Sequence, residues 1–184
     1  AWDLGPWGGE YLIPPGFIVF YPNALPILIM EDGCHMEEEP CSLYFRLYEK
    51  RQQFNCQEIC QIGISIAKGL AYLHNLKPNK IIHTDLKPAN ILVQGKGEGI
   101  TAKIIDFGLS FELGPGETET FDDFRGTPLY AAPEVEPWAN TNHKADIYTF
   151  GIVMLELVSH QFPRVLVAKD WRVKSIQGVR PLEE

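Results

Sequence analysis

From Gln57 to about His74, the residues Ile59, Ile62, Gly63, Ile66, Ala67, Leu70 and Leu73 recur at spacings of three and four, which lines them up on one face of a helix. Such a stripe has to be buried, and that requirement constrains the fold more than any other feature of the chain. Gly63 and Gly69 leave room for another element to approach closely, and Pro78 stops the helix. A second helix is expected from Asn142 to Ser159, where Ala145, Ile147, Tyr148, Gly151, Ile152, Leu155 and Leu157 cover most of the circumference. An element apolar nearly all round belongs in the middle of a domain. With 45% hydrophobic residues among 184, the chain has the material for one domain with a core of its own.

Strand signals lie on either side of the first helix. FIVFYP (Phe17 to Pro22) and LPILIME (Leu25 to Glu31) are short apolar runs separated by Asn23 and Ala24, the pattern of two buried strands joined tightly. Ile91 to Val93 and Ala102 to Ile105 flank the glycine-rich stretch QGKGEGI and predict a hairpin. Leu43 to Lys50 has the length of two helical turns, residues 1–16 read as loop, and the periodicity after Ser159 is weak. There is no internal repeat.

The net charge of -8 disfavours polyanionic partners, and no basic run supplies a local patch for nucleic acid. Cys34, Cys41, Cys56 and Cys60 lack a following His/Cys pair at zinc-site spacing, so they read as reduced, partly buried thiols in a cytoplasmic, intracellular setting. No stretch approaches about 18 consecutive apolar residues, and membrane insertion of this chain is not expected.

The densest polar cluster is HTDLKPAN, His83 to Asn90, which carries Asp85, Lys87 and Asn90 behind an apolar run. The predicted hairpin returns Asp106, within DFG, to the neighbourhood of Asn90. A carboxylate and an amide oxygen together suit Mg²⁺; Lys87 can neutralise a transferring phosphoryl group, and Asp85 can accept a proton from a hydroxyl. Taken singly, Asp85 is equally a turn cap, Asn90 a turn residue, and His83 a packed core histidine.

These motifs resemble those of eukaryotic-type protein kinases. HTDLKPAN is similar to the catalytic loop, Asp106–Phe107–Gly108 to the metal-binding triplet, RGTPLYAAPE (Arg125 to Glu134) to the end of the activation segment, and ADIYTFG to the start of the central helix. The resemblance spans roughly Phe17 to Pro181. It implies an α+β protein-kinase-like fold, mostly the α-helical large lobe at 34–184, with a remnant of the small-lobe sheet and the hinge at 1–33. It further implies Asp85 as base, Lys87 on the γ-phosphate, and Asn90 and Asp106 as metal ligands. Met30 would be the gatekeeper, Glu31 and Gly33 would offer their backbone to adenine, and Leu92 would lie beneath the purine. His83 would stack on Phe107, Gly108 would complete the triplet, and Asp146 would hold the catalytic-loop backbone. Thr127 would meet Asp85 and Lys87, and Glu134 would seek an arginine. The implied partners are ATP, Mg²⁺ and a protein carrying Ser or Thr hydroxyls; Lys87–Pro88 and GTPLY are the features that suggest Ser/Thr over Tyr.

Three departures qualify that picture. Thr84 stands where many kinases have Arg, which removes an anchor for a phosphorylated activation segment. No glycine-rich phosphate loop precedes the hinge, and the first lysine is Lys50. The Arg expected to pair with Glu134 has no evident counterpart. The expectation is a fragment of a kinase domain, truncated at both ends; the alternative is a non-catalytic, kinase-derived binding or scaffold module.

Overall fold

The computed structural model describes strands at 17–19 and 27–29 together with residues 42–135 and 137–163. β1 (Phe17–Val19) and β2 (Ile27–Ile29) pair antiparallel, with Phe17 opposite Ile29, as the two apolar runs predict. The expected loop at 1–16, the hinge residues Met30, Glu31 and Gly33, the cysteines Cys34 and Cys41 and the segment after Pro163 lie outside the described residues.

The striped helix is α1 (Cys56–Asn75). Its start is set by Asn55, whose side chain accepts the Glu58 amide at 3.0 Å while Glu58 accepts the Asn55 amide at 3.1 Å; this reciprocal capping box satisfies two amides that the first turn cannot. Glu58 reaches further and accepts the Gly97 amide at 2.8 Å, tying the helix start to a neighbouring turn. Those backbone donors hold its carboxyl below the usual range. Ile62, Ile66, Leu70 and Leu73 are buried as the stripe predicts, but Ala67 is exposed. The predicted stripe spreads wider than the face that is covered.

β3 (Lys80–Ile82) follows, then β4 (Ile91–Gln94) and β5 (Thr101–Ile104), which pair antiparallel around the glycine-rich turn with Ile91 opposite Ile104. β6 (Phe111–Leu113) returns to pair antiparallel with β3. Ahead of α1, Phe45–Glu49 forms a π-helical turn where two helical turns were expected. From it the buried Arg46 donates to the carbonyls of Val93 and Gly95, each at 3.0 Å. A buried guanidinium needs such acceptors, and here they also fix the exit of β4.

α2 (Lys144–Ser159) closes the order and ends where His160 turns left-handed, with φ of +54°. A Cβ at Gly63 would come within 2.9 Å of Met154 Cε, so the glycine is where α1 and α2 meet closely. α2 buries Ala145, Ile152, Val153 and Leu157, yet Ile147 is 51% and Val158 60% exposed. The expectation of a helix enclosed all round is therefore corrected: apolar composition marks what can be buried, and packing among the described residues covers one side only. Cys56 and Cys60 are likewise exposed instead of partly buried, because they sit on the outer face of the first two turns of α1.

Candidate active site

The loop between β3 and β4 owes its shape to one carboxylate. Asp146, in the first turn of α2 and wholly buried, accepts the His83 amide through Oδ2 and the Thr84 amide through Oδ1, both at 2.9 Å. His74 Nε2, from the last turn of α1, lies 2.8 Å from the same Oδ2. A buried carboxylate is tolerable only with such partners. Two backbone amides of the loop are thus fastened to α2, the place the sequence expectation assigns to Asp146.

The ring of His83 settles the next register. Its Nε2 is 3.0 Å from the Ile105 carbonyl and its Nδ1 accepts the Asp85 amide at 3.3 Å, so the partners assign the proton to Nε2. The ring meets Phe107 edge-on, centroids 5.2 Å apart, where the resemblance implied a stack. His83 is a fully buried structural group.

Asp85 then presents its carboxylate to a compact set of partners. Lys87 Nζ lies 2.7 Å from Oδ2, Thr127 Oγ1 donates to Oδ1 at 2.6 Å, and Lys87 also donates to Thr127 Oγ1 at 2.8 Å. Asn90 Nδ2 donates to the Asp85 carbonyl at 2.9 Å and to Oδ2 at 3.2 Å. Asp85, Lys87, Asn90 and Thr127 therefore form one connected group, although Thr127 arrives from far along the chain. Its approach needs Gly126: that residue has φ of +89°, and a Cβ there would stand 2.5 Å from the Thr84 carbonyl.

Asp106 is exposed, adopts φ of +64°, and accepts the Gly108 amide at 3.2 Å. The Ile105 amide donates to the Asn90 carbonyl at 3.0 Å, which keeps the Asp106 strand end beside Asn90. Asn90 makes both of these side-chain bonds through Nδ2, so Oδ1 is its atom suited to coordinate a cation. Among the described residues no group of three or more His, Cys, Asp or Glu side chains could hold a metal. The donor set nevertheless fits Mg²⁺, which is commonly bound through one or two protein oxygens with the rest from phosphate and water. Leu92 is half-buried on β4, and its backbone bridges to Ser42.

A scan against family models matches residues 19–177 to the protein kinase domain. The chain belongs to the protein kinase family. Kinases of this family generally use ATP and Mg²⁺. Its relatives include a G-type lectin S-receptor-like serine/threonine-protein kinase of Arabidopsis thaliana, 48% identical over 103 residues that make up 56% of this chain and 12% of the relative. Another of that description from Oryza sativa subsp. indica is 42% identical over 98 residues, 53% of this chain and 12% of the relative. A protein described as a probable receptor-like protein kinase, also of Arabidopsis thaliana, is 43% identical over 98 residues, 53% of this chain and 21% of its own length. The aligned part thus spans a small share of each relative, and the resemblance is to serine/threonine protein kinases.

Within this kinase chain several site-building residues escaped sequence reasoning. Tyr130, just past Thr127, donates to Glu156 Oε2 at 2.8 Å, and Tyr48 of the π turn makes a short bond to Oε1 of the same carboxylate. Burial pushes the Glu156 carboxyl up against the opposing pull of the two hydroxyls. Burial, together with that carboxylate, pushes both tyrosines up as well. Nothing in the local pattern distinguishes Glu156 from a solvated helix glutamate. Glu134 is half-buried, and no arginine among the described residues forms a salt bridge with it. No helix among the described residues is long and apolar enough to cross a membrane.

Proposed function

We propose that the chain is the hinge and large-lobe part of a protein serine/threonine kinase domain, with 1–33 belonging to the small lobe and hinge and 34–184 to the large lobe. The observation that carries this reading is the Thr127 hydroxyl, which donates to Asp85 Oδ1 at 2.6 Å and accepts from Lys87 at 2.8 Å. An aliphatic alcohol of this chain already sits where a carboxylate can take its proton and an ammonium can neutralise the oxygen. A substrate serine or threonine entering the group meets the same two charges. Mg·ATP, when bound, supplies the phosphoryl group. This chain's contribution is Asn90 and Asp106 as metal ligands, Asp85 to orient and deprotonate the hydroxyl, Lys87 to hold positive charge beside it, and the backbone of Glu31 and Gly33 with Met30 and Leu92 toward the purine. By analogy with its receptor-like relatives, the working domain faces the cytoplasm and acts on a protein; a fluorescent fusion found only outside the cytoplasm contradicts that placement.

The test is Mg·ATP binding by calorimetry on the 184-residue chain beside Asp106→Asn, followed by phosphoryl transfer to Ser/Thr peptides. Metal-dependent binding that the variant loses is the expected result. A folded chain that binds no nucleotide overturns the catalytic reading for this piece. It would favour a kinase-derived binding module.

A further inference from the structure

Thr84 carries more contacts than a loop residue between two catalytic-loop positions requires. It is 6% exposed and holds φ of +64°, in the left-handed region that a β-branched residue rarely adopts. Its amide donates to Asp146 Oδ1 of α2 at 2.9 Å. Its hydroxyl lies 2.8 Å from the carbonyl of Leu109 and 2.6 Å from that of His83. Its carbonyl is the atom that a Cβ on Gly126 would strike at 2.5 Å. Ser110 Oγ adds a contact to the His83 carbonyl at 3.3 Å. One side chain and its peptide therefore touch α2, the residue that follows the Asp106–Phe107–Gly108 triplet, and the glycine that admits Thr127.

We propose that Thr84 is a positioning residue: its hydroxyl latches the segment after Asp106 to the catalytic loop, holding Asp106 and Asp85 in fixed relation through neutral contacts alone. The proposal rests on the transfer-site reading above. A hydroxyl suits the task because it has one proton to share between two facing carbonyls, and a single-residue reach. The left-handed backbone is what directs it: the same conformation that aims the amide at Asp146 sends the side chain toward Leu109. A longer cationic side chain at this position would need an anion across from it.

The experiment is amide hydrogen exchange by mass spectrometry on the 184-residue chain, comparing wild type with Thr84→Val, which keeps the shape and removes the hydroxyl, and Thr84→Ser, which restores it. Thr84→Val is expected to speed exchange across 106–113 about tenfold, the scale of one lost hydrogen bond. Exchange in α1 should stay unchanged, and Thr84→Ser should return 106–113 to within about twofold of wild type. Where the wild-type chain transfers phosphate, Thr84→Val should lower kcat about tenfold with KM for ATP within about twofold. Equal exchange in wild type and Thr84→Val, a uniform acceleration that includes α1, or a failure of Thr84→Ser to restore protection overturns the proposal. If wild type binds no Mg·ATP, the function reading falls while the exchange result still decides the latch. Should Thr84→Val not fold, Thr84→Gly, which suits the left-handed backbone and also lacks the hydroxyl, takes its place with the same outcomes.

Discussion

The catalytic loop at 83–90 and the activation segment at 114–125 are held by different means. In the loop, His83, Thr84, Asp85 and Asn90 are all buried, and their partners come from α2, from Ile105 just past β5 and from Thr127. In the segment, most residues between Pro115 and Phe124 are exposed, and the Gly114 amide is satisfied by Glu117 only three residues away. Its ties to other parts of the chain are few: the Glu119 and Thr141 backbones pair at 3.0 and 2.8 Å, Trp138 donates to the Phe121 carbonyl at 2.8 Å, Thr118 donates to Asn140 Oδ1 at 3.3 Å, and the Phe121 ring meets that of Phe111 edge-on at 5.0 Å. Distant partners make a loop's geometry a property of the whole fold, whereas local ones leave it free to open on its own. Positioned chemistry is built from the first kind of contact, and segments meant to change are built from the second.

The sharpest way to break the contrast is Asp146→Ala. It strips two buried amides and His74 of their acceptor, and a loss of about 3–5 kcal/mol of stability is expected in urea denaturation. A loss under about 1 kcal/mol would mean that the loop is held from elsewhere. Gly126→Ala attacks the close approach that brings Thr127 to the catalytic loop, since the new Cβ meets the Thr84 carbonyl at 2.5 Å on a backbone with φ of +89°. A cost of about 2–3 kcal/mol is expected, with a fall in the thermal midpoint as its readout; an unchanged midpoint would show that the contact yields freely.

Glu156→Gln probes the buried carboxyl beneath Tyr130. Because burial raises its folded value, the folded chain binds the proton more tightly than the unfolded chain does. The group's contribution is then fully present below the ordinary glutamate range and is lost as pH climbs through the folded value. Wild type should therefore lose ground to Glu156→Gln as pH rises from about 4 to 7, and parallel stability curves would remove the carboxyl from the account. Least effect is expected from Thr120→Glu, in the exposed segment: within about 0.5 kcal/mol in the same denaturation assay. A larger loss would show that the segment is held more firmly than its sparse anchors suggest.

Much of this was readable in advance, for reasons that differ by residue. The α1 stripe and the β4–β5 hairpin were legible because period and turn chemistry are local, and the approach of Thr127 to Asp85 and Lys87 was implied by the resemblance to kinases. Exposure of Ala67, Ile147 and Val158 was not, since periodicity reports what a side chain prefers and says nothing of whether a neighbour arrives to cover it. Nor was the meeting of Tyr48, Tyr130 and Glu156. A glutamate on an apolar helix looks solvated until residues from two other parts of the chain close over it. His74 belongs with these: its partner Asp146 lies 72 residues away, beyond any local pattern.

Glu58 has a consequence for how the molecule assembles. A single carboxylate serves the Asn55 amide at the head of α1 and the Gly97 amide at the tip of the β4–β5 turn, so neither nucleus is complete without the other. Helix initiation, ordinarily the slow and unfavourable event, is thereby coupled to closure of the hairpin. Folding of this lobe should then begin as a joint event in which the first turn of α1 and the hairpin tip gain their structure on the same side of the transition state.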